Sequence, residues 1–446
     1  MAEKFDLLVL GGTCVTPDGI AVRDVGVRGG RIAAIGDLYG AVADTIFDAA
    51  GLHVLPGVID SQVHFREPGG EHKEDLQSGS AAAVMGGVTG VFEMPNTRPA
   101  TISVDAVADK LARANGRMWC NFAFYAGATG QNSDELPEME NMAGCCGVKI
   151  FMGSSTGNLL VDSDEELAGV LSAVRRRVAV HCEDEERLQA RSSLAAEGMV
   201  ATHPLWRDEE TAINATRRLL TLARKLGRQV HVLHVTTAQE MALLAEYRDV
   251  ASVEATPQHL TLVAPDCYER LGTYAQMNPP IREAHHRDAL WRAIGDGIVD
   301  VIGSDHAPHT IEEKAKPYPQ SPSGMPGVQT LLPLLLDHAN AGRLSLLRLV
   351  DLTSAGAARI FGIAGKGRIA VGYDADLTLV DLAAQREISD DWLVSRAGWS
   401  PFLGQKITGW PMATIIGGGI VMRDGEILGD PAGKPMRFWS AAGPAG

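Results

Sequence analysis

No apolar run in these 446 residues approaches the roughly 20 residues that a membrane-spanning helix needs. The opening MAEKFDLLVLGG is too short and too acidic for a secretory signal. Cysteine is sparse and scattered. The six (Cys14, Cys120, Cys145, Cys146, Cys182 and Cys267) include no CxxC pair, so neither a disulfide framework nor a thiolate zinc site is indicated. Positive charge is short too: 40 Lys and Arg against 55 Asp and Glu give a net charge of -15. A phosphate-backbone partner wants the opposite sign, which argues against nucleic acid. No Gly-rich dinucleotide fingerprint follows the first strand, which disfavours a doubly wound nucleotide-binding sheet. With 45% hydrophobic and 21% charged residues, the default expectation is a globular cytoplasmic enzyme with neither membrane nor nucleic-acid partners.

The two ends of the chain share one texture. DLLVLGG (6–12), AVRDVGVRGG (21–30) and RIAAIG (31–36) are short β-rich runs broken by Gly, as are GRIAVGYDADLTLVDL (367–382) and ATIIGGGIVMRDGEIL (413–428). Neither end alone has enough strands to avoid long open edges, so the expectation is one small β-sandwich built from both. Between them, eight apolar β-type runs alternate with helical stretches: 55–64, 87–96, 121–127, 147–153, 178–184, 229–235, 251–257 and 300–306. Helices are expected over 164–177 and 209–227. Runs apolar at every position need cover on both faces, and eight of them alternating with helices is the (β/α)8 pattern. The expected division is therefore 1–54 and 365–446 for the terminal β domain and 55–364 for the barrel.

Polar residues gather at the C-terminal ends of the runs. His64 and Arg66 follow the first, Asn96 ends the second, Lys149 lies within the fourth, His181 and His234 fall in the fifth and sixth, and Asp305 and His309 close the eighth. A barrel brings those ends into one ring, its catalytic face. Imidazoles and a carboxylate suit Zn²⁺. Lys149 is the odd member, because an ammonium repels a divalent cation. Desolvation depresses its pKa, and the neutral amine can add CO₂ to become an anionic carbamate. A lysine snorkelling beside an acid is the plainer alternative. Cys182, next to His181 on a strand, should point away from any metal. His53, His72, His203, His285, His286 and His338 fall outside these strand ends and are read as surface or packing residues. The Pro- and Gly-rich stretch 310–330 is either an inert surface loop or a substrate-facing one. Gly153 and Gly157 suggest close backbone approach, or merely a turn.

The segments PGVID-x-x-VHFREPG (56–69), FEMPNT (92–97), GVKIFMGSSTGN (147–158), QMNPPIR (276–282) and GSDHAPH (303–309) resemble the dihydroorotases of the amidohydrolase superfamily, as do SPFLGQKITGWP (400–411) and the other end segments. The resemblance spans essentially the whole chain. It implies a metal-dependent interconversion of dihydroorotate and N-carbamoyl-aspartate in pyrimidine biosynthesis, in a dimer or tetramer. It further implies that His64, His181 and His234 are metal ligands, with Lys149 the carboxylated bridge. Asp305 would ligate metal and shuttle the proton. Arg66, Asn96 and His309 would hold the substrate carboxylate, and Asn278 the pyrimidine ring. The chemistry agrees: a metal lowers the pKa of bound water to about 7 and polarises the carbonyl of a cyclic amide. An anionic substrate also needs local cations in so acidic a chain.

One departure stands out. The usual His-x-His after the first strand is here Gln62-Val63-His64. An amide oxygen is a poorer zinc donor than imidazole, which puts the second of one or two Zn²⁺ ions in question. Two other readings remain in play. An allantoinase or dihydropyrimidinase would have no use for Arg66. A catalytically silent scaffold would not need the five retained ligands.

Overall fold

Runs that are apolar at every position can serve as strands only where both faces are covered, and that is where they lie. The computed structural model describes residues 4–153 and 159–439. Eight strands, β1 (Val58–Val63), β2 (Val88–Glu93), β3 (Asn121–Gly127), β4 (Cys145–Phe151), β5 (Val178–His181), β6 (Val230–Val232), β7 (Ala251–Ala255) and β8 (Val301–Ile302), run parallel and pair in chain order. A bridge between Val63 and His306, with the His64 N–H donating to the His306 carbonyl at 2.7 Å, brings the last strand back beside the first. The expected (β/α)8 barrel is formed. Ile59, Phe92, Tyr125, Cys146, Ala179, Leu233 and Val301 fill its interior with Phe361 and Met436.

The outer helix Glu209–Leu226 sits where its periodicity placed it. Asp208 caps its start by accepting from Thr211 N–H at 3.0 Å, and Gly227 ends it at φ +63. The helix expected over 164–177 is shorter, Asp164–Ala173. The buried Glu140 carboxylate accepts from the N–H groups of Arg175 and Arg176 at 2.9 and 3.0 Å, drawing the chain off its helical path.

Both ends of the chain enter one nine-stranded sheet. His53–Pro56 joins them, antiparallel to Leu377–Glu387 on one side and parallel to Lys4–Thr16 on the other. Leu7, Val25, Val54, Leu377 and Ile415 share one core there, so the two halves of the sheet pack on each other. The C-terminal part also leaves this sheet to reach the barrel. Trp399 Nε1–H donates to the His309 carbonyl at 2.8 Å, and Val394 N–H to Gln329 Oε1 at 3.1 Å. The stretch 310–330 is packed rather than inert. It begins with the turn Ile311–Lys314, and the buried Lys314 ammonium donates to the carbonyls of Gln276, Pro322 and Gly324 at 3.2, 2.9 and 3.0 Å. Among the described residues no helix is long and apolar enough to cross a membrane.

Candidate metal centre and anion cradle

Only four described non-glycine residues have φ in the left-handed region, and three are candidate site residues: Arg66 (+64), His234 (+37) and Asp305 (+45). Each follows the end of a barrel strand, where the chain turns sharply to aim its side chain over the mouth. Such conformations cost of order 1–3 kcal/mol each and persist only where the surroundings enforce them.

The donors form two pairs. In the first, His64 Nδ1–H donates to Asn96 Oδ1 at 2.7 Å, which leaves Nε2 facing Asp305 Oδ1 at 3.1 Å. Burial pushes the His64 pKa down despite Asp305, so the ring is neutral and a bare nitrogen confronts a carboxylate oxygen. Two lone-pair donors at this distance are what a cation would relieve. Gln62 Nε2 donates to the same Asp305 oxygen at 2.8 Å, and its own Oε1 is buried without a hydrogen-bond partner.

In the second pair, His181 Nε2–H donates to Glu183 Oε2 at 2.9 Å, so its Nδ1 lone pair faces His234 Nε2, 3.0 Å away. His234 Nδ1 is buried and unpartnered. Burial lowers both imidazoles, and the neighbouring Lys149 lowers them further. Glu183 is held down to about 2: desolvation alone would raise it, but Arg207, 2.5 Å away, and His181 prevail. A buried carboxylate on the far nitrogen of an imidazole fixes the ring and raises its basicity as a ligand. Lys149 is fully buried, its ammonium 4.5 Å from the Phe151 ring centroid. Burial lowers it to about 7 against the attraction of Asp305 and Glu254, so a reactive neutral amine is accessible near neutral pH. Cys182 hydrogen-bonds Thr216 of the outer helix, on the side away from His181.

Beside the donors lies a basic cradle. Arg66 Nε donates to the Pro308 carbonyl at 3.2 Å, and its guanidinium nitrogen approaches His309 Nε2 at 3.3 Å. Burial brings Arg66 down to about 10, opposed by Asp305 and Glu93. Asn278 Oδ1 accepts from His203 Nε2–H at 3.0 Å.

Sequence reasoning missed several contributors. His203, read as surface or packing, is buried, hydrogen-bonded to Asn278 and to Tyr318, and pushed down to about 3 by burial and then Arg207. Glu183 and Arg207 gave no signal beyond being charged. Of the other histidines set aside, His286 and His338 are buried, His53 is half-buried, and His72 and His285 are exposed. Gly153 does mark a close approach: a Cβ there would meet the Glu183 carbonyl at 2.4 Å. Gly157 lies outside the described residues.

Among the described residues, one group of three His, Cys, Asp or Glu side chains brings its ligand atoms within 4.8 Å of one another: Glu209, His285 and His286. His286 Nδ1 accepts from Ala238 N–H at 3.0 Å, so its proton sits on Nε2 and bonds Glu209 at 2.8 Å. That is a hydrogen bond between helices, and the facing nitrogen carries no free lone pair.

The amidohydrolase family matches residues 53–421. The chain is 39% identical over 425 residues to a dihydroorotase of Halobacterium salinarum, covering 93% of this chain and 97% of that one. It is 36% identical to an allantoinase of Rubrobacter xylanophilus, covering 98% of each. Among solved structures, the L-hydantoinase (dihydropyrimidinase) of Arthrobacter aurescens superposes with a TM-score of 0.93 at 32% identity, over 97% of this chain and 100% of that one.

Proposed function

The chain belongs to the amidohydrolase family as a metal-dependent cyclic amide hydrolase, and from that premise we propose that it interconverts dihydroorotate and N-carbamoyl-L-aspartate. The observation that carries the substrate is the cradle. Arg66 and His309 meet at 3.3 Å beside the His64–Asp305 pair, in a chain whose net charge is -15. A guanidinium reads a carboxylate bidentately, and dihydroorotate carries a ring carboxylate that hydantoin and allantoin lack.

The donor set fits divalent metal. The imidazoles are neutral, a His64 nitrogen and an Asp305 oxygen face one another unrelieved, His234 Nδ1 is buried without a partner, and Lys149 can form a carbamate. His64, His181, His234, Asp305 and carboxylated Lys149 would hold one or two Zn²⁺ ions, supplying a nucleophile at neutral pH and polarising the scissile carbonyl. Asp305 accepts the proton of the attacking water. It returns that proton to the ring nitrogen as the amide C–N bond breaks, so the ring opens to a carboxylate and a ureido group. Arg66, Asn96 and His309 hold the substrate carboxylate. Asn96 spends its oxygen on His64 and keeps two N–H donors for substrate. Asn278, braced by His203, contacts the ring.

The second reading, a hydantoinase, is favoured by the structural superposition on an L-hydantoinase. Steady-state assays on dihydroorotate, carbamoyl-aspartate, hydantoin and allantoin separate the two. Turnover of the first pair with little of the neutral rings is expected, and faster turnover of hydantoin or allantoin overturns the proposal.

A further inference from the structure

His309 is held by contacts that fix more than its position. Lys73 Nζ lies 3.1 Å from His309 Nδ1, while His309 Nε2 lies 3.0 Å from the Ser323 carbonyl and 3.3 Å from Arg66. An ammonium has donors and no acceptor, so the Lys73 contact is a hydrogen bond only if Nδ1 is bare. A carbonyl has no donor, so the Ser323 contact requires the proton on Nε2. The two contacts demand the same tautomer, and both are shorter than the two that would suit the other one, Glu313 Oε2 at 3.5 Å from Nδ1 and Arg66 at 3.3 Å from Nε2. Arg66 then faces Nε2–H donor to donor, with no bond between them.

We infer that Lys73 is a positioning residue: its hydrogen bond to Nδ1 locks His309 as the neutral Nε2–H tautomer, so that His309 and Arg66 present adjacent donors to one carboxylate group of the substrate. Without Lys73 the ring is free to move its proton to Nδ1. Nε2 would then accept from Arg66, and the two groups would satisfy each other instead of an anion. Lys73 is itself held by Glu313, 3.0 Å away in the capping box of the turn Ile311–Lys314, and is about one-fifth exposed. Burial together with Arg66, Lys73 and Lys314 keeps His309 neutral, consistent with a single-proton ring. The identity of the carboxylate substrate rests on the function proposed above; the tautomer does not.

The test is nitrogen-15 NMR of histidine-labelled full-length protein, with the His309 signals identified by their loss in His309→Asn, alongside steady-state kinetics on dihydroorotate. Wild type should show the Nε2–H pattern at His309. Lys73→Met should shift it towards the Nδ1–H form, raising KM at least about tenfold with kcat changed less than about threefold, the split expected for a group that only binds. Lys73→Arg, which can also donate to Nδ1, should restore the tautomer and most of KM. Glu313→Gln, which breaks the ion pair but leaves the lysine, should keep the wild-type tautomer. If Lys73→Met does not fold, Lys73→Leu, which likewise carries no donor, takes its place. An unchanged tautomer and KM on losing the ammonium, or the same tautomer shift in Glu313→Gln as in Lys73→Met, overturns the inference. Wild-type protein inert towards dihydroorotate would instead refute the substrate and leave the NMR result standing.

Discussion

Replacing Gln62 by histidine should raise the number of divalent ions the protein retains. In the wild-type chain the Gln62 amide donates to Asp305 Oδ1 at 2.8 Å, the oxygen that His64 Nε2 also approaches, at 3.1 Å. An ion held between His64 and Asp305 must compete with that N–H, and a hydrogen bond to a charged acceptor is worth about 1.5–3 kcal/mol. At 1.4 kcal/mol per decade, this half of the centre is weaker by about 10–100-fold than with an imidazole donor in place of the amide. The pair His181–His234 meets no such competitor, and with carboxylated Lys149 offers the three protein ligands usual for a catalytic zinc. Wild-type protein dialysed against a chelator should therefore keep about one ion per chain, and Gln62→His about two. Elemental analysis with protein quantified in the same sample measures this, and a chromophoric chelator gives the two affinities. Wild type holding two ions through prolonged chelation would refute the reasoning and mean that the Gln62 oxygen is itself a ligand.

Asp305→Asn, in metal-replete protein, should lower kcat by at least about 10²-fold, the scale of a general acid–base group, and near-normal turnover would contradict its role as proton shuttle. Arg66→Lys should act mainly on KM, because an ammonium cannot reproduce the planar fork; a pure kcat effect would place Arg66 elsewhere in the mechanism. Glu183→Gln should weaken metal retention about 10–100-fold through His181, read by the same chelator competition. His203, with its folded pKa near 3 against 6.5, takes up its proton more readily in the unfolded chain. Its contribution to stability is full above pH 6.5 and is lost as pH falls towards 3. The unfolding free energy of wild type should therefore drop by about 2 kcal/mol more than that of His203→Gln between pH 7 and pH 5. Denaturant titrations at the two pH values check it, and equal drops would show that His203 is not neutral in the fold.

The barrel was legible because β1 to β5 are buried at every position, and short runs that are apolar throughout belong in strands covered on both faces. The residues proposed as metal donors could be singled out because each stands at or just past such a run. What escaped was polar chemistry whose partners lie far along the chain. Glu183 looks like one more acid in the stretch CEDEERL, and nothing local shows that Arg207, 24 residues on, comes to neutralise it. His203 opens the short helix His203–Trp206, and its partners, Asn278 and Tyr318, are 75 and 115 residues away. The early end of Asp164–Ala173 was hidden for the same reason: Glu140, which captures the following amides, is 35 residues upstream of Arg175. The reach of the C-terminal segment to His309 could not be read from a stretch whose neighbours on both sides are sheet strands.

That reach sets an order on synthesis. The His309 carbonyl is bonded by Trp399, 90 residues later in the chain, and His53–Pro56 waits for Leu377–Val380 before its sheet is complete. As the nascent chain leaves the ribosome, every proposed metal donor has emerged well before the residue that braces the anion cradle from behind. A message cut short between codons 310 and 399 would yield a polypeptide with its whole ligand set and an unsupported wall. Such a chain would lack the indole that bonds the His309 carbonyl and the last strands of the sheet that His53–Pro56 joins.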